Sequence, residues 1–158
     1  MRTIEKILIG RGEIERIYRG RASLALWRAY RKDEVVRNPL YPTIEKKQIR
    51  PNEYRDPDIV TKPTRFGRFV VAQVRQGTSL MDVPNGFGTM EWAYVVLPAG
   101  VEIPPELIIT KDHFMKKQGC FHYTVGPNFS MKLDRFLAAL DLLAFNANIK
   151  LVKDLAHG

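Results

Sequence analysis

Cysteine is nearly absent. Cys120 is the single cysteine among 158 residues, so no internal disulfide can form and a reducing compartment is permitted. Set between Gly119 and Phe121, it reads as a small buried residue rather than a nucleophile. Histidine is scarce as well, with three residues at spacings that match no common ligand set, which argues against a metal site. Acidic residues are outnumbered, 17 against 25 basic ones, giving a net charge of +8 and an isoelectric point near 9.7. That excess favours anionic partners: nucleic acid, the phosphates of a dinucleotide or an acidic protein. Walker loops, the dinucleotide glycine fingerprint, His-Glu-x-x-His, paired Cys-x-x-Cys and internal repeats are all missing. No stretch approaches the ~20 apolar residues that span a bilayer, so membrane insertion is not expected. Arg2, Glu5 and Lys6 flank a short apolar run, Ile7 to Ile9, and predict no cleavable secretion signal.

What is present fits one domain, long enough to bury roughly 70% of its extended surface without staples. The stretch from Trp92 to Tyr123 organises it. Trp92 to Leu97 is aromatic and β-branched and predicts a strand. Pro98, Gly100, Pro104 and Pro105 force the chain to turn. Leu107–Ile109 and Phe121–Val125 then read as two more strands, with His113 to Gly119 as a charged loop between them.

Elsewhere, Ile4, Ile7, Leu8, Ile14 and Ile17 are spaced as short amphipathic helices would need, so residues 1–21 are expected to form a helical segment ahead of a domain at 22–158. Leu24 to Tyr30 predicts a first core strand carrying Arg28, whose guanidinium needs a carboxylate, a phosphate or water. Lys32 to Pro63 is polar and proline-rich, as functional loops often are. Asp56 and Asp58 within it form a tight carboxylate pair that suits acid–base chemistry or, as is more usual, caps a turn. Phe66–Val74 predicts a strand running into Gly77-Thr78-Ser79, where Gly77 permits close approach of a ligand or a sharp turn and the two hydroxyls form a turn motif. After Pro127 a helix is expected, capped by Ser130, with an apolar stripe from Leu133 to Leu151 and Lys150 and Lys153 at its end.

Six pieces in this order resemble the small type VI secretion toxins of the exported effector two type, first seen in Pseudomonas. They are Leu26-Trp27-Arg28-Ala29; Asp58-Ile59-Val60; Gly77-Thr78-Ser79 with Asp82; Leu97 through Leu107; His122-Tyr123-Thr124 with Pro127; and Leu140-Asp141 with Asn146-Ala147. The resemblance covers roughly residues 24–150. It implies an α/β (α+β) single domain of the ADP-ribosyltransferase-like kind: a split, curved, mostly antiparallel sheet around a cleft, with flanking helices. It implies a toxin acting in the cytoplasm of a target cell on an unknown target, a cognate immunity protein, NAD as substrate and no metal. In that picture Arg28 meets the pyrophosphate of NAD, with Gly77 nearby. Thr78 and Ser79 hold the nicotinamide ribose. His122 bonds a ribose hydroxyl or moves a proton, and Tyr123 stacks on nicotinamide. Adjacent strand residues face opposite sides, which favours His122 over Tyr123 in the cleft.

The sequence departs from the family pattern at one point. Many ADP-ribosyltransferases use a late glutamate, but no glutamate follows Glu106, so either Glu102, Glu106 or Asp112 fills that role or the chemistry differs. Two other functions fit the residues. One is a basic, metal-independent toxin directed at nucleic acid, suggested by Arg65-Phe66-Gly67-Arg68-Phe69. The other is a binding module without catalysis.

Overall fold

The computed structural model describes residues 14–34 and 36–151. The strands are β1 (Arg16–Tyr18), β2 (Leu26–Arg31), β3 (Lys47–Arg50), β4 (Glu53–Arg55), β5 (Thr61–Thr64), β6 (Gly67–Val70), β7 (Thr78–Met81), β8 (Trp92–Leu97), β9 (Leu107–Met115), β10 (Cys120–Pro127) and β11 (Met131–Lys132); the helix is α1 (Leu133–Asn146). Six strands form the main sheet in the order β1-β9-β10-β7-β2-β8, every neighbouring pair antiparallel. A second sheet runs β11-β6-β5, and β3 pairs with β4.

Strand alternation sorts the side chains. Leu26, Leu80, Leu97, Ile109, Tyr123 and Val125 join Phe136, Leu140, Leu143 and Ala144 of α1 in one core cluster. Ala29, Met81 and Cys120 gather with Trp27, Trp92 and Met115 in a smaller one. Burying a large apolar side chain is worth roughly 1.5–3 kcal/mol, so the first cluster supplies most of the driving force.

Several expectations are corrected. Residues 14–21 are not helical: Arg16–Tyr18 is an edge strand paired with β9, and Tyr18 is buried in the main core. The open edge of β9 outweighs a weak helical spacing. Residues 1–13 of the expected helical segment lie outside the described residues. Trp92 to Tyr123 does not make three adjacent strands, because β7 and β2 separate β8 from β10. The Pro98–Glu106 connection links β8, at one edge, to β9 near the other, held by Gly100 N donating to Ala22 O at 2.7 Å and Ile103 N to Gly20 O at 2.6 Å. His113 to Met115 continue β9 instead of forming a loop. Thr78 and Ser79 open a strand rather than a turn. The helix starts after Lys132 with no side-chain cap and ends at Asn146, short of Lys150. Ser130 is spent on Ala72 N at 3.4 Å, and Lys153 lies outside the described residues.

Gly77 is needed for packing between strands. A Cβ there would collide with Val125 O and sit 2.8 Å from Gly126 Cα, both backbone atoms of β10 that cannot swing aside. Gly77→Ala is expected to lower stability by at least ~2 kcal/mol, read as a lower urea midpoint at unchanged slope.

Candidate active site

The main sheet is split between β7 and β2. Their register holds a single pair, Trp27↔Met81. Beyond it the strands diverge, and the segment Asn38–Thr43 is fastened into the gap. Arg28 Nε donates to Pro39 O at 3.1 Å, its NH2 to Tyr41 O at 3.4 Å and its NH1 to Ser79 O at 3.3 Å. Thr78 Oγ1 donates to Leu40 O. Leu40 N donates to Asn38 Oδ1 at 2.8 Å, while Asn38 Nδ2 reaches Leu140 O and Asp141 Oδ1. Thr43 N donates to Asp58 Oδ2 at 2.9 Å. Asp58 N in turn donates to Thr43 Oγ1 at 2.9 Å, so Asp58 clasps the end of this segment.

The result is a cavity of about 590 Å³, lined by Arg28, Ser79, Met81, Trp92, Met115 and His122 among others, a size that suits a small-molecule ligand. One wall is aromatic. Phe87 and Trp92 lie 5.1 Å apart at 37°, and the Arg31 guanidinium covers Trp92 at 4.9 Å. Tyr94 fixes Phe87 there, since its hydroxyl accepts from Phe87 N at 2.9 Å and donates to Gly88 O at 2.7 Å. Another wall is charged. Arg28, Arg37 and Arg55 line it with Asp56 and Asp58. Arg28 and Asp58 approach only to 4.0 Å, so Arg28 rests on carbonyl dipoles more than on an opposite charge. Burial lowers its pKa, and Asp58 opposes that shift.

His122 enters from β10. Its Nδ1 lies 2.9 Å from Asp112 Oδ2, and its ring stacks on His113 at 5.0 Å and 13°. Burial first, and His122 second, lower the pKa of His113.

Of the residues singled out in the sequence, Arg28, Ser79 and His122 meet around this cavity. Three others do not line it. Thr78 is fully buried and bonded to the Asn38–Thr43 segment. Gly77 lies against β10. Tyr123 does not stack in the cleft: it is 1% exposed, packs in the core, and its hydroxyl faces Asp82 Oδ2 at 3.4 Å. Alternation along β10 accounts for this, as His122 and Tyr123 face opposite sides. The late carboxylates lie elsewhere too. Glu106 approaches Arg135 at 3.9 Å, Glu102 is exposed beside Arg21, and the Asp112 carboxylate is wholly enclosed.

Tyr41, another part of the segment in the split, donates its hydroxyl to Asp141 Oδ1 at 2.7 Å. Burial, then that bond and the Asp141 charge, raise its pKa to about 12. A phenol titrating at roughly 10 when unfolded and higher when folded favours the native state fully below pH 10. That contribution disappears as pH rises from roughly 10 to about 12. Tyr41→Phe is expected to lower stability at neutral pH and to make the alkaline decline shallower, measured by urea unfolding across that range. Tyr123 shifts in the same direction, so some decline persists.

An antiparallel sheet split around a cleft of cations, aromatic rings and one imidazole, in an α+β domain, defines the ADP-ribosyltransferase-like class. The Tse2 ADP-ribosyltransferase toxin family matches residues 9–151, and the chain belongs to that family. It is 31% identical over 108 residues to Toxin Tse2 of Pseudomonas aeruginosa (strain PAO1), an alignment covering 68% of this chain and 65% of that protein. The chain therefore matches just under two thirds of that relative's length. Among the described residues, no helix is long and apolar enough to cross a membrane.

Proposed function

We propose that this protein is a toxin that takes NAD in the β7–β2 cleft and breaks its nicotinamide–ribose bond. The ADP-ribose passes to a group on a target molecule in the cytoplasm of the attacked cell or, failing that, to water. The observation that carries this is the shared lining of one cavity by arginines, an aromatic wall and His122. Phosphates suit the guanidinium groups, a planar base suits Trp92 and Phe87, and ribose hydroxyls suit His122 and Ser79. In the reaction the C1′–N bond breaks and its electron pair stays on the departing nicotinamide, which leaves neutral. The incoming nucleophile forms the new bond to C1′, and its proton passes to His122 Nε2. The rings, the guanidinium groups and Ser79 hold the dinucleotide while this happens.

The family also supports delivery by type VI secretion and a cognate immunity protein in the producing cell. The net charge of +8 favours an acidic surface on that partner. The test mixes the purified chain with NAD carrying an affinity tag on its adenosine half, with and without bacterial lysate. Free nicotinamide, or a tagged lysate component, is the expected result. NAD that stays intact with no tagged product in a susceptible lysate would overturn the proposal.

A further inference from the structure

We propose that Asp112 is the positioning residue of the cleft, which holds the His122 ring with its Nε2 lone pair directed at the substrate. The observations begin with the register of β9 and β10. His122 pairs with His113, and the next residue, Tyr123, pairs with Lys111. Asp112 is therefore the extra residue of a β-bulge on β9. Bulges re-aim side chains, and they recur next to reactive groups. This one sets Asp112 and His113 together opposite His122, so that one bonds the imidazole and the other stacks on it.

Three donors converge on the Asp112 carboxylate. Thr110 Oγ1 donates to Oδ1 at 2.7 Å, Thr124 Oγ1 donates to Oδ2 at 2.6 Å, and His122 Nδ1 faces Oδ2 at 2.9 Å. The carboxylate is wholly shielded from solvent, whereas the His122 side chain keeps 18% exposure. These partners compensate the enclosed carboxylate for the hydration it has lost. An ionised carboxylate can only accept hydrogen bonds, so the ring nitrogen facing it carries the proton. The other nitrogen then presents its lone pair to the cavity that His122 lines. Asp112 has no access to that cavity and acts through His122. It therefore does not replace the late glutamate that many ADP-ribosyltransferases use by touching the ribosyl cation. The charged and titratable neighbours of the ring are Asp112 and His113 on β9 and, beyond His113, Arg75, which acts on it electrostatically. Met81 faces the ring from β7.

The inference deepens the NAD reading, and its activity readout rests on that reading; its spectroscopic readout does not. The full chain, labelled with nitrogen-15, is examined by long-range proton–nitrogen correlation of the imidazoles at neutral pH, with His122→Gln assigning the signals. The wild type is expected to show His122 protonated at Nδ1 and bare at Nε2. Asp112→Asn is expected to give a mixed or reversed tautomer, and to lower kcat for NAD turnover by about 100-fold or more with KM changed less than threefold. A wild-type ring protonated at Nε2, or at both nitrogens, would overturn the proposal without any variant having to fold. So would a folded Asp112→Asn protein with an unchanged tautomer or unchanged kcat. A wild type with the expected tautomer but no NAD turnover would sink the NAD reading and leave the role of Asp112 standing.

Discussion

Arg28→Leu is expected to destabilise the protein by about 3 kcal/mol and to detach one wall of the cleft. Three carbonyl oxygens, of Pro39, Tyr41 and Ser79, lose a charged donor at once. Hydrogen bonds to charged groups contribute about 1.5–3 kcal/mol each, but water entering the open cleft replaces part of that. The leucine also removes a buried cation that burial disfavours, which keeps the total below the sum of three bonds. Arg28→Lys is expected to recover less than half of the loss, because an ammonium group is a point donor and cannot span three acceptors as a planar fork does. Chemical denaturation reads both numbers. Activity is expected to fall further than the loss of folded protein accounts for, since its three hydrogen bonds use three of the five guanidinium N–H groups and the side chain still lines the cavity. A pair of variants with unchanged stability would mean that the bonds of Thr78, Asn38, Tyr41 and Asp58 hold the Asn38–Thr43 segment without Arg28.

Arg28 also marks the limit of what the sequence discloses. An arginine inside an apolar strand announces that it needs partners, and the strand itself is written in Leu26, Trp27 and Ala29. That the partners are mainly carbonyls, of Pro39 and Tyr41 in the segment that follows, is not written there, because any residue at those positions, proline included, offers the same C=O. The strands at Trp92–Leu97 and around Phe121–Val125 are legible for a related reason: aromatic and β-branched residues mark a pleated, half-buried surface. Their order in the sheet is not, since proline and glycine say that the chain turns but not where it lands. Period-two alternation was enough to separate His122 from Tyr123. It failed at Asp112, where a bulge breaks the period. The available signal was the buried-strand composition around it, with Thr110 two residues before and Thr124 two residues beyond His122 across the Gly119 turn, three short polar side chains among isoleucines and valines. Thr78 shows the opposite failure. Next to Ser79 it invites a reading as a substrate contact, yet alternation turns it toward the core, where its hydroxyl satisfies Leu40 O.

His122→Ala is expected to reduce NAD turnover by at least ~100-fold while leaving stability within about 1 kcal/mol of wild type. The two halves of that expectation have separate origins. The ring is partly exposed at the cavity and covers little apolar area, so its removal costs folding mainly through Asp112, which keeps Thr110 and Thr124 as donors. A proton acceptor positioned at the reacting nucleophile contributes about 100-fold to 10,000-fold in typical enzymes, and among the described residues no second imidazole lines the cavity. His113 is its stacked neighbour, but it does not line the cavity. If KM rises and kcat holds, His122 binds substrate without moving a proton. Added imidazole separates these cases further: a small base filling the space left by the side chain is expected to restore part of kcat in His122→Ala and none in Arg28→Leu, where the missing group is a fork of donors rather than a proton acceptor.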